Sequence, residues 1–578
     1  MKRLLLTFCM TAVAAAYLVL SPYFEKLNNP NENVRVYMAL SLAESHTFAI
    51  NSVVSRWGYV NDKAKKGDLL FPGKAPGTSY LAAPAVWLGL KVSALRGVEA
   101  TKQAVVAWAR LGATTLPLLL FFAFYLRATR WVTEDLPTRL LGFLMLALGS
   151  TMLSYGGLAV SHSVAAASSF GGYLLVLGHR REPDRPALPL LAGLCFGGAV
   201  MLEYPGLLGA GVAWLLGFAG SPRRVRYTAL TIAGSLLPIG LLALFHLRAF
   251  GSIVSTPYAN LENPTFASYV SGGFFGLKVL QSNAFMGSFF APATGLFWFA
   301  PWTILAVVTL SLAVTSERLR EPALLAIGTL VVYGIFISMV QDWRGGWGAG
   351  PRYIVPAVPA LAWYLLHVLA ELRESRLGGL LWSATAALVL VAMFVCGLSA
   401  AFFPHYPLDA LNPVFELGTY LVSRGIWPHT TLGWFGLSGA AGVGLVSFLA
   451  FGSWGAVAAA NAAERGGRGW LAAAGSLLLA VGLLSMMARV ETPERAQVDK
   501  ARALVFSVWE PRAPHGLAPP TGEPRDACAL PSSCTPSEDA AAMRRLGASG
   551  YERAAMGRWN AAPTRGVEGA NPATPVAP

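Results

Sequence analysis

Asn29-Pro30-Asn31-Glu32-Asn33-Val34-Arg35-Val36-Tyr37, then Asn61-Asp62, then Phe71-Pro72-Gly73-Lys74-Ala75-Pro76-Gly77, follow directly on the first apolar run of the chain. The segment 25–78 that holds them is long and polar. It carries acids and a lysine framed by two Pro/Gly turns. It stands at the mouth of a very hydrophobic protein. So many ionisable groups at that place point to the handling of something charged at a membrane surface.

The chain has 578 residues, 54% hydrophobic and only 13% charged. Soluble domains carry about a quarter charged residues, so this composition defines an integral membrane protein. Apolar runs recur near 4–24, 79–95, 103–126, 139–157, 160–178, 190–218, 227–250, 287–315, 322–340, 353–371, 377–402, 432–459 and 469–488. Each is long enough to cross the hydrocarbon layer as a helix. The expected fold is therefore all-α and polytopic, with about 13 transmembrane helices. Lys2 and Arg3 precede the first run, and no small-residue cleavage site follows it. That reads as a retained first span with a cytoplasmic N-terminus. Thirteen crossings then place the C-terminus outside the cytoplasm.

Basic residues mostly agree with that orientation. Lys91, Arg96 and Lys102 fall inside, as do Arg223, Arg224 and Arg226, Arg318 and Arg320, Arg373 and Arg376, and Arg465 and Arg468. Loops 127–138 and 179–189 are basic yet fall outside, and a bent or re-entrant pair at Tyr155-Gly156-Gly157 would change that. Four segments, 25–78, 251–286, 341–352 and 403–431, lie on one outer face and suggest a shared water-facing cavity. The net charge of +14 suits anionic headgroups better than nucleic acid. Residues 1–490 form the membrane domain. The Ala/Pro/Arg-rich tail 491–578 reads as an extracytoplasmic, largely disordered extension. In it Cys528 and Cys534 either close a small loop or stay as two thiols.

Glu32 opens a helical pattern, and Arg35 lies three residues on, placed to hold its carboxylate ionised. Glu32 is either a solvated loop acid or a general base. Lys74 either snorkels to phospholipid or grips a substrate phosphate as a point charge. The island Asp342-Trp343-Arg344-Gly345-Gly346-Trp347-Gly348-Ala349-Gly350-Pro351-Arg352-Tyr353 joins indoles, glycines and two arginines. Its tryptophans are either interfacial anchors or sugar platforms, and its arginines suit phosphate. His162, Glu203 and Tyr204 interrupt apolar runs and face either a cavity or a structural partner. His405 begins the last outer loop. Glu32, Glu44 and Asp62 could share a divalent cation, but the sequence holds no tight His/Cys metal signature. No cofactor is otherwise indicated.

Acid-x-x-Arg with a nearby tyrosine (Glu32, Arg35, Tyr37) after the first span, then Lys74-Ala75-Pro76-Gly77, resembles the GT-C superfamily of membrane glycosyltransferases. The nearest branch is the protein O-mannosyltransferase and lipid A aminoarabinose transferase group. The likeness covers about residues 1–490. It implies an enzyme of the bacterial inner membrane that moves a sugar from a polyprenyl-phosphate donor to a lipid, glycan or protein acceptor on the extracytoplasmic face. It makes Glu32 the base, and Lys74, Arg352 and Arg344 the phosphate contacts. Arg35, Tyr37, Glu44, Asp62, His162, Glu203, Tyr204, Asp342, Trp343, Trp347, Tyr353 and His405 become supporting or substrate-binding residues. Two departures stand out: Asn31-Glu32-Asn33 lacks a second acid, and Lys-Ala-Pro replaces Lys-Pro-Pro. A lipid-linked-sugar flippase would favour broken helices and charges at mid-membrane in two related halves, which the sequence lacks. A surface-polysaccharide polymerase or ligase would favour a large late outer loop, whereas here the early loop is richest.

Overall fold

The computed structural model describes residues 1–23, 30–58, 60–271, 276–406, 410–423, 430–432, 437 and 440–504. Among these the chain is almost wholly helical, and the one sheet is an antiparallel hairpin of Lys63–Lys66 with Leu69–Pro72 inside the first loop. Eight helices are long and apolar enough to cross a membrane: Lys2–Val19, Lys102–Trp131, Arg224–Phe250, Glu317–Met339, Arg352–Glu371, Arg376–Ala401, Ala441–Arg465 and Gly467–Met487. Four shorter apolar helices, Leu136–Ala147, Ala187–Leu202, Gly206–Ala219 and Trp302–Val314, fill gaps between them. The all-α membrane architecture therefore holds, while length and apolarity alone do not reproduce the expected thirteen.

Two expected spans are built differently. The run at 79–95 does form a helix, Gly77–Leu95, but it is not among the eight. It packs antiparallel to the start of Lys102–Trp131, with Gly112 against Leu81 and Ala85, and Gly89 against Trp108. Near its start, Ser79 Oγ donates to the Arg35 carbonyl at 2.9 Å, and just past its end Lys102 Nζ donates to the Trp57 carbonyl at 3.4 Å. Both ends therefore sit with the first loop. The small residues that made this run read as a span serve a separate core, where Ala82, Val86, Val105 and Ala109 pack with Tyr37, Val53 and Phe71. Apolar periodicity does not distinguish burial in protein from burial in lipid.

The run at 190–218 is two helices, Ala187–Leu202 and Gly206–Ala219, reversing at Glu203-Tyr204-Pro205. The first runs antiparallel to His162–Arg181, with Ser168 Oγ donating to the Cys195 carbonyl at 2.7 Å. The second runs parallel to it, with Gly209 beside Ser169 and Gly217 beside Val176. Losing one crossing and gaining another moves the intervening loops. Asp135 pairs with Arg373 at 3.0 Å, Arg180 with Glu321 at 2.6 Å, and Lys2 with Glu464 at 3.6 Å. Loops 127–138 and 179–189 thus join the N-terminus at the end of the bundle opposite the first loop. Lys91, Arg96 and Lys102, expected at that end, lie instead with the first loop.

The main core holds the fully buried Trp302, Trp363 and Trp382. Residues 491–504, expected within a disordered tail, include a helix, Arg495–Leu504, that buries Val498 and Ala501. Thr492 ties it to the last outer loop by donating to the Glu416 carboxylate through N (2.6 Å) and Oγ1 (2.7 Å). Cys528 and Cys534 lie outside the described residues.

Candidate active site

The helix Pro30–Ser45 carries Glu32 and Arg35 inward, both buried. The i,i+3 spacing predicts that Arg35 holds Glu32, and the structure pairs each with a distant partner. Arg110 grips Glu32 with two prongs, Nε to Oε1 at 2.7 Å and Nη2 to Oε2 at 2.9 Å, and the Ala159 N–H donates to Oε1 at 2.8 Å. Burial raises the Glu32 pKa, but the charge and hydrogen bonds of Arg110 and the Ala159 N–H outweigh it, so the pKa ends below the ordinary value. Arg110 closes the α-helical part Lys102–Arg110, and a π-helical turn, Leu111–Thr115, follows at once. Such turns are frequent at functional sites. Arg110 was not singled out from the sequence. The signal was there: an arginine inside an apolar span.

Arg35 instead donates through Nη2 to Glu203 Oε2 at 3.1 Å and to Ser161 Oγ at 2.9 Å, while Ser161 also bonds to Glu203. The helix break at Glu203-Tyr204-Pro205 thus exists to bring an acid to Arg35. Tyr204 donates to His246 Nε2 (2.8 Å). The tautomer follows from geometry, because His246 Nδ1 lies 2.9 Å from the Ile253 carbonyl, which only accepts.

Lys74 pairs with Asp62 at 3.0 Å, and its ammonium lies 5.6 Å from the centre of the Tyr258 ring. The first of the two turns around it is held by the Gly73 N–H donating to the Asp62 carbonyl at 3.0 Å. Burial disfavours the Lys74 ammonium, but Asp62 and the phenols of Tyr258 and Tyr353 outweigh burial and the opposing Arg352, so its pKa lies above that of an ordinary lysine. Tyr353 stacks edge-on with His162 (5.7 Å between centroids), and His162 with Tyr155 (5.8 Å). Arg352 lies over Tyr353, 5.2 Å from its centre. Gly345, at φ +68°, leaves the space through which the Arg352 guanidinium passes, and a Cβ there would collide with Arg352 Nε. Asp342 lies in the field of Arg352 and Lys74, and the Gly345 N–H donates to its main-chain carbonyl at 2.9 Å. Burial raises its pKa more than these neighbours lower it.

His405 is the link between the two halves of the cluster. It is buried, and its pKa is pushed down to about 3 by burial, with Glu32 opposing and Arg110 and Arg352 adding to the fall. The structure therefore brings Lys74, Asp62, Arg352, Tyr353, Asp342, His162, Glu203, Tyr204 and Arg35 into one polar cluster, with Glu32 behind it next to Arg110 and His405. Five expected residues lie apart from it. Tyr37 donates to the Trp57 and Gly58 carbonyls (both 3.3 Å) in the first loop's own core. Glu44 pairs at the surface with Arg56 at 3.0 Å. Trp347 is buried in the main core. Arg344 is exposed, 5.0 Å from the centre of the Trp343 ring, and Trp343 packs over Gly287. The expected trio of Glu32, Glu44 and Asp62 is split among three different cations. Among the described residues no three His, Cys, Asp or Glu side chains converge as a metal site. Tyr258 and Ser161 join Arg110 as site residues missed from the sequence.

The structure also holds an apolar cavity of about 800 Å³, walled by Phe285, Phe289, Phe290, Phe297, Trp298 and Ile335. Ser338 at its edge is four residues before Asp342 on the same run of chain, and Phe336 touches Tyr353 with centroids 6.2 Å apart.

The arrangement is that of a multi-helix membrane protein whose first loop, helix break and 342–353 island meet at one end of the bundle. No protein-family profile and no curated protein matches the chain. Solved structures similar to it include two of ArnT from Cupriavidus metallidurans. One is in the apo state (17% identity, TM-score 0.43, covering 87% of this chain and 78% of that one) and the other is bound to undecaprenyl phosphate (15%, 0.43, 87% and 80%).

Proposed function

We propose that the chain is a GT-C-type glycosyltransferase that moves a sugar from a polyprenyl-phosphate carrier to an acceptor at the extracytoplasmic face. The observation that carries this is the buried cluster that sets the Lys74 and Arg352 cations among Asp62, Tyr258 and Tyr353, together with an apolar cavity of about 800 Å³ elsewhere in the same bundle. A prenyl chain fits such walls and a phosphate fits such cations. The phosphate is the leaving group, so positive charge fixed beside it lowers the barrier. Glu32, which Arg110 keeps deprotonated and oriented, is the proposed catalytic carboxylate. The orientation follows from charge. With loops 127–138 and 179–189 at the N-terminal end of the bundle, most basic loop clusters lie there, although Lys91, Arg96 and Lys102 do not, and this balance supports a cytoplasmic N-terminal end with the site outside.

The test is a deletion strain complemented with the wild-type chain or with Glu32→Gln, scored by mass analysis of envelope lipids and glycans. The wild type restores a missing sugar, and Glu32→Gln restores none while binding undecaprenyl phosphate as the wild type does. An unchanged envelope in the deletion strain removes the transferase reading. A fully active Glu32→Gln removes only the role of that residue.

A further inference from the structure

The Lys74 ammonium carries three N–H donors. Among the described residues one carboxylate accepts from it, Asp62 at 3.0 Å, and the Tyr258 ring covers a second side, with 5.6 Å from its centre to Nζ. The third N–H is the one a phosphate oxygen would take. Asp62 belongs to the first loop. Tyr258 belongs to the second outer segment, on the single 3-10 turn Pro257–Asn260. Two loops far apart in sequence thus fix one cation, and whatever holds the second of them decides where the ammonium points.

The segment 253–263 that carries Tyr258 is tied at both ends. At its far end Leu261 bridges to Ala64, the Glu262 N–H donates to the Lys63 carbonyl at 3.0 Å, and Asn263 Nδ2 donates to Asn61 Oδ1 at 2.6 Å. Asn61 and Lys63 flank Asp62, so this end is locked to the counter-ion of Lys74. At its near end the tie is His246, buried in the last two turns of the helix Arg224–Phe250. The His246 Nδ1–H donates to the Ile253 carbonyl at 2.9 Å, and Nε2 accepts from the Tyr204 hydroxyl at 2.8 Å. Tyr204 in turn meets Tyr258 edge to face, with ring centres 5.6 Å apart and planes at 63°. Between the ties, Asn260 Nδ2 closes the turn on the Thr256 carbonyl at 3.0 Å. The imidazole therefore sets the Tyr258 ring twice, through the start of its segment and through the ring that packs on it.

We propose that His246 is a positioning residue of the phosphate site: by holding Ile253 and Tyr204 together it sets the Tyr258 ring over Lys74 and so directs the ammonium toward the ligand. This rests on the transferase reading above, in which Lys74 meets the donor phosphate. His246 acts through Tyr258. An aromatic face attracts an ammonium only when the ring stands close and turned toward it. The ring also keeps water from one side of the charge, where a contact to phosphate then gains strength. A ring that drifts away loses both effects. The helix break at Glu203-Tyr204-Pro205 thus serves the site in two ways, since Glu203 holds Arg35 at 3.1 Å and Tyr204 holds His246.

The experiment measures undecaprenyl phosphate binding to the purified full-length chain by native mass spectrometry, with thermal melting alongside. His246→Ala weakens binding about 5- to 10-fold, the range of a partly desolvated cation–π contact. Tyr258→Leu weakens it to the same degree. In the Tyr258→Leu background His246→Ala adds less than about twofold, because the ring it positions is gone. A histidine that only supported the fold would lower melting and cost the same affinity in both backgrounds. His246→Asn, which keeps a donor for the Ile253 carbonyl, recovers part of the affinity. Tyr204→Phe keeps the ring, removes the hydroxyl and weakens binding about threefold, the loss of one hydrogen bond, so it carries the test if His246→Ala does not fold. Binding by His246→Ala within about twofold of the wild type, an equal loss in both backgrounds, or unchanged binding by Tyr204→Phe overturns the assignment. A wild-type chain that does not bind undecaprenyl phosphate removes the donor reading of the site, and the role of His246 with it.

Discussion

Replacing Arg110 with Met keeps the length of the side chain and removes its charge. Glu32 is then left 3% exposed with one hydrogen bond from Ala159, where it had three. Breaking a buried pair on one side costs about 3–5 kcal/mol, because the remaining charge is uncompensated. Part of that cost is relieved when Glu32 takes up a proton. Glu32→Gln in the Arg110→Met background removes the stranded charge, so the double variant recovers at least about 2 kcal/mol, within the range of coupling between contacting residues. The pH dependence has a definite sign. The folded-state pKa of Glu32 lies below its ordinary value of 4.5, so its contribution is complete above 4.5 and is lost as pH falls through the lowered value. The wild type therefore loses stability below pH 4.5 by this route, and Arg110→Met does not. The assay is thermal melting of the purified chain in detergent, for the four members of the cycle, at neutral and acid pH. An Arg110→Met variant that melts with the wild type, or strictly additive single effects, would refute the pairing.

Further outcomes follow from the same geometry. Lys74→Met weakens undecaprenyl phosphate binding about 10- to 100-fold, as expected for loss of a desolvated charge contact, read by native mass spectrometry of the purified chain. Gly345→Ala forces a positive φ on alanine and displaces Arg352, which costs about 1–3 kcal/mol and lowers transfer in the complemented strain. Glu44→Gln leaves both transfer and melting within error, because the Glu44–Arg56 pair is exposed.

Several members of the polar cluster were legible in the sequence. Lys74 between two turns, Arg352 after a glycine run, and Glu203 before a proline each stood out as a costly group in an apolar context. Their partners were not legible. Arg35 sits three residues from Glu32, yet on this helix Arg35 turns to Glu203, 168 positions away in sequence. Only the packing of Ala187–Leu202 against His162–Arg181 makes that contact. The false span at 79–95 has the same origin. Gly77–Leu95 packs one face, with Ala82 and Val86, on the first loop's core and leaves Trp87, Leu88 and Leu95 exposed, and hydropathy sums both faces into one span. Tyr37 and Trp347 look like ligand-facing aromatics in sequence but are taken up by packing.

The most direct test of the central claim is an experimental structure of the full chain with undecaprenyl phosphate. The account predicts the phosphate between Lys74 and Arg352, with the prenyl chain running past Phe289 and Phe297. A phosphate bound elsewhere, or a prenyl chain that leaves that cavity empty, would contradict it.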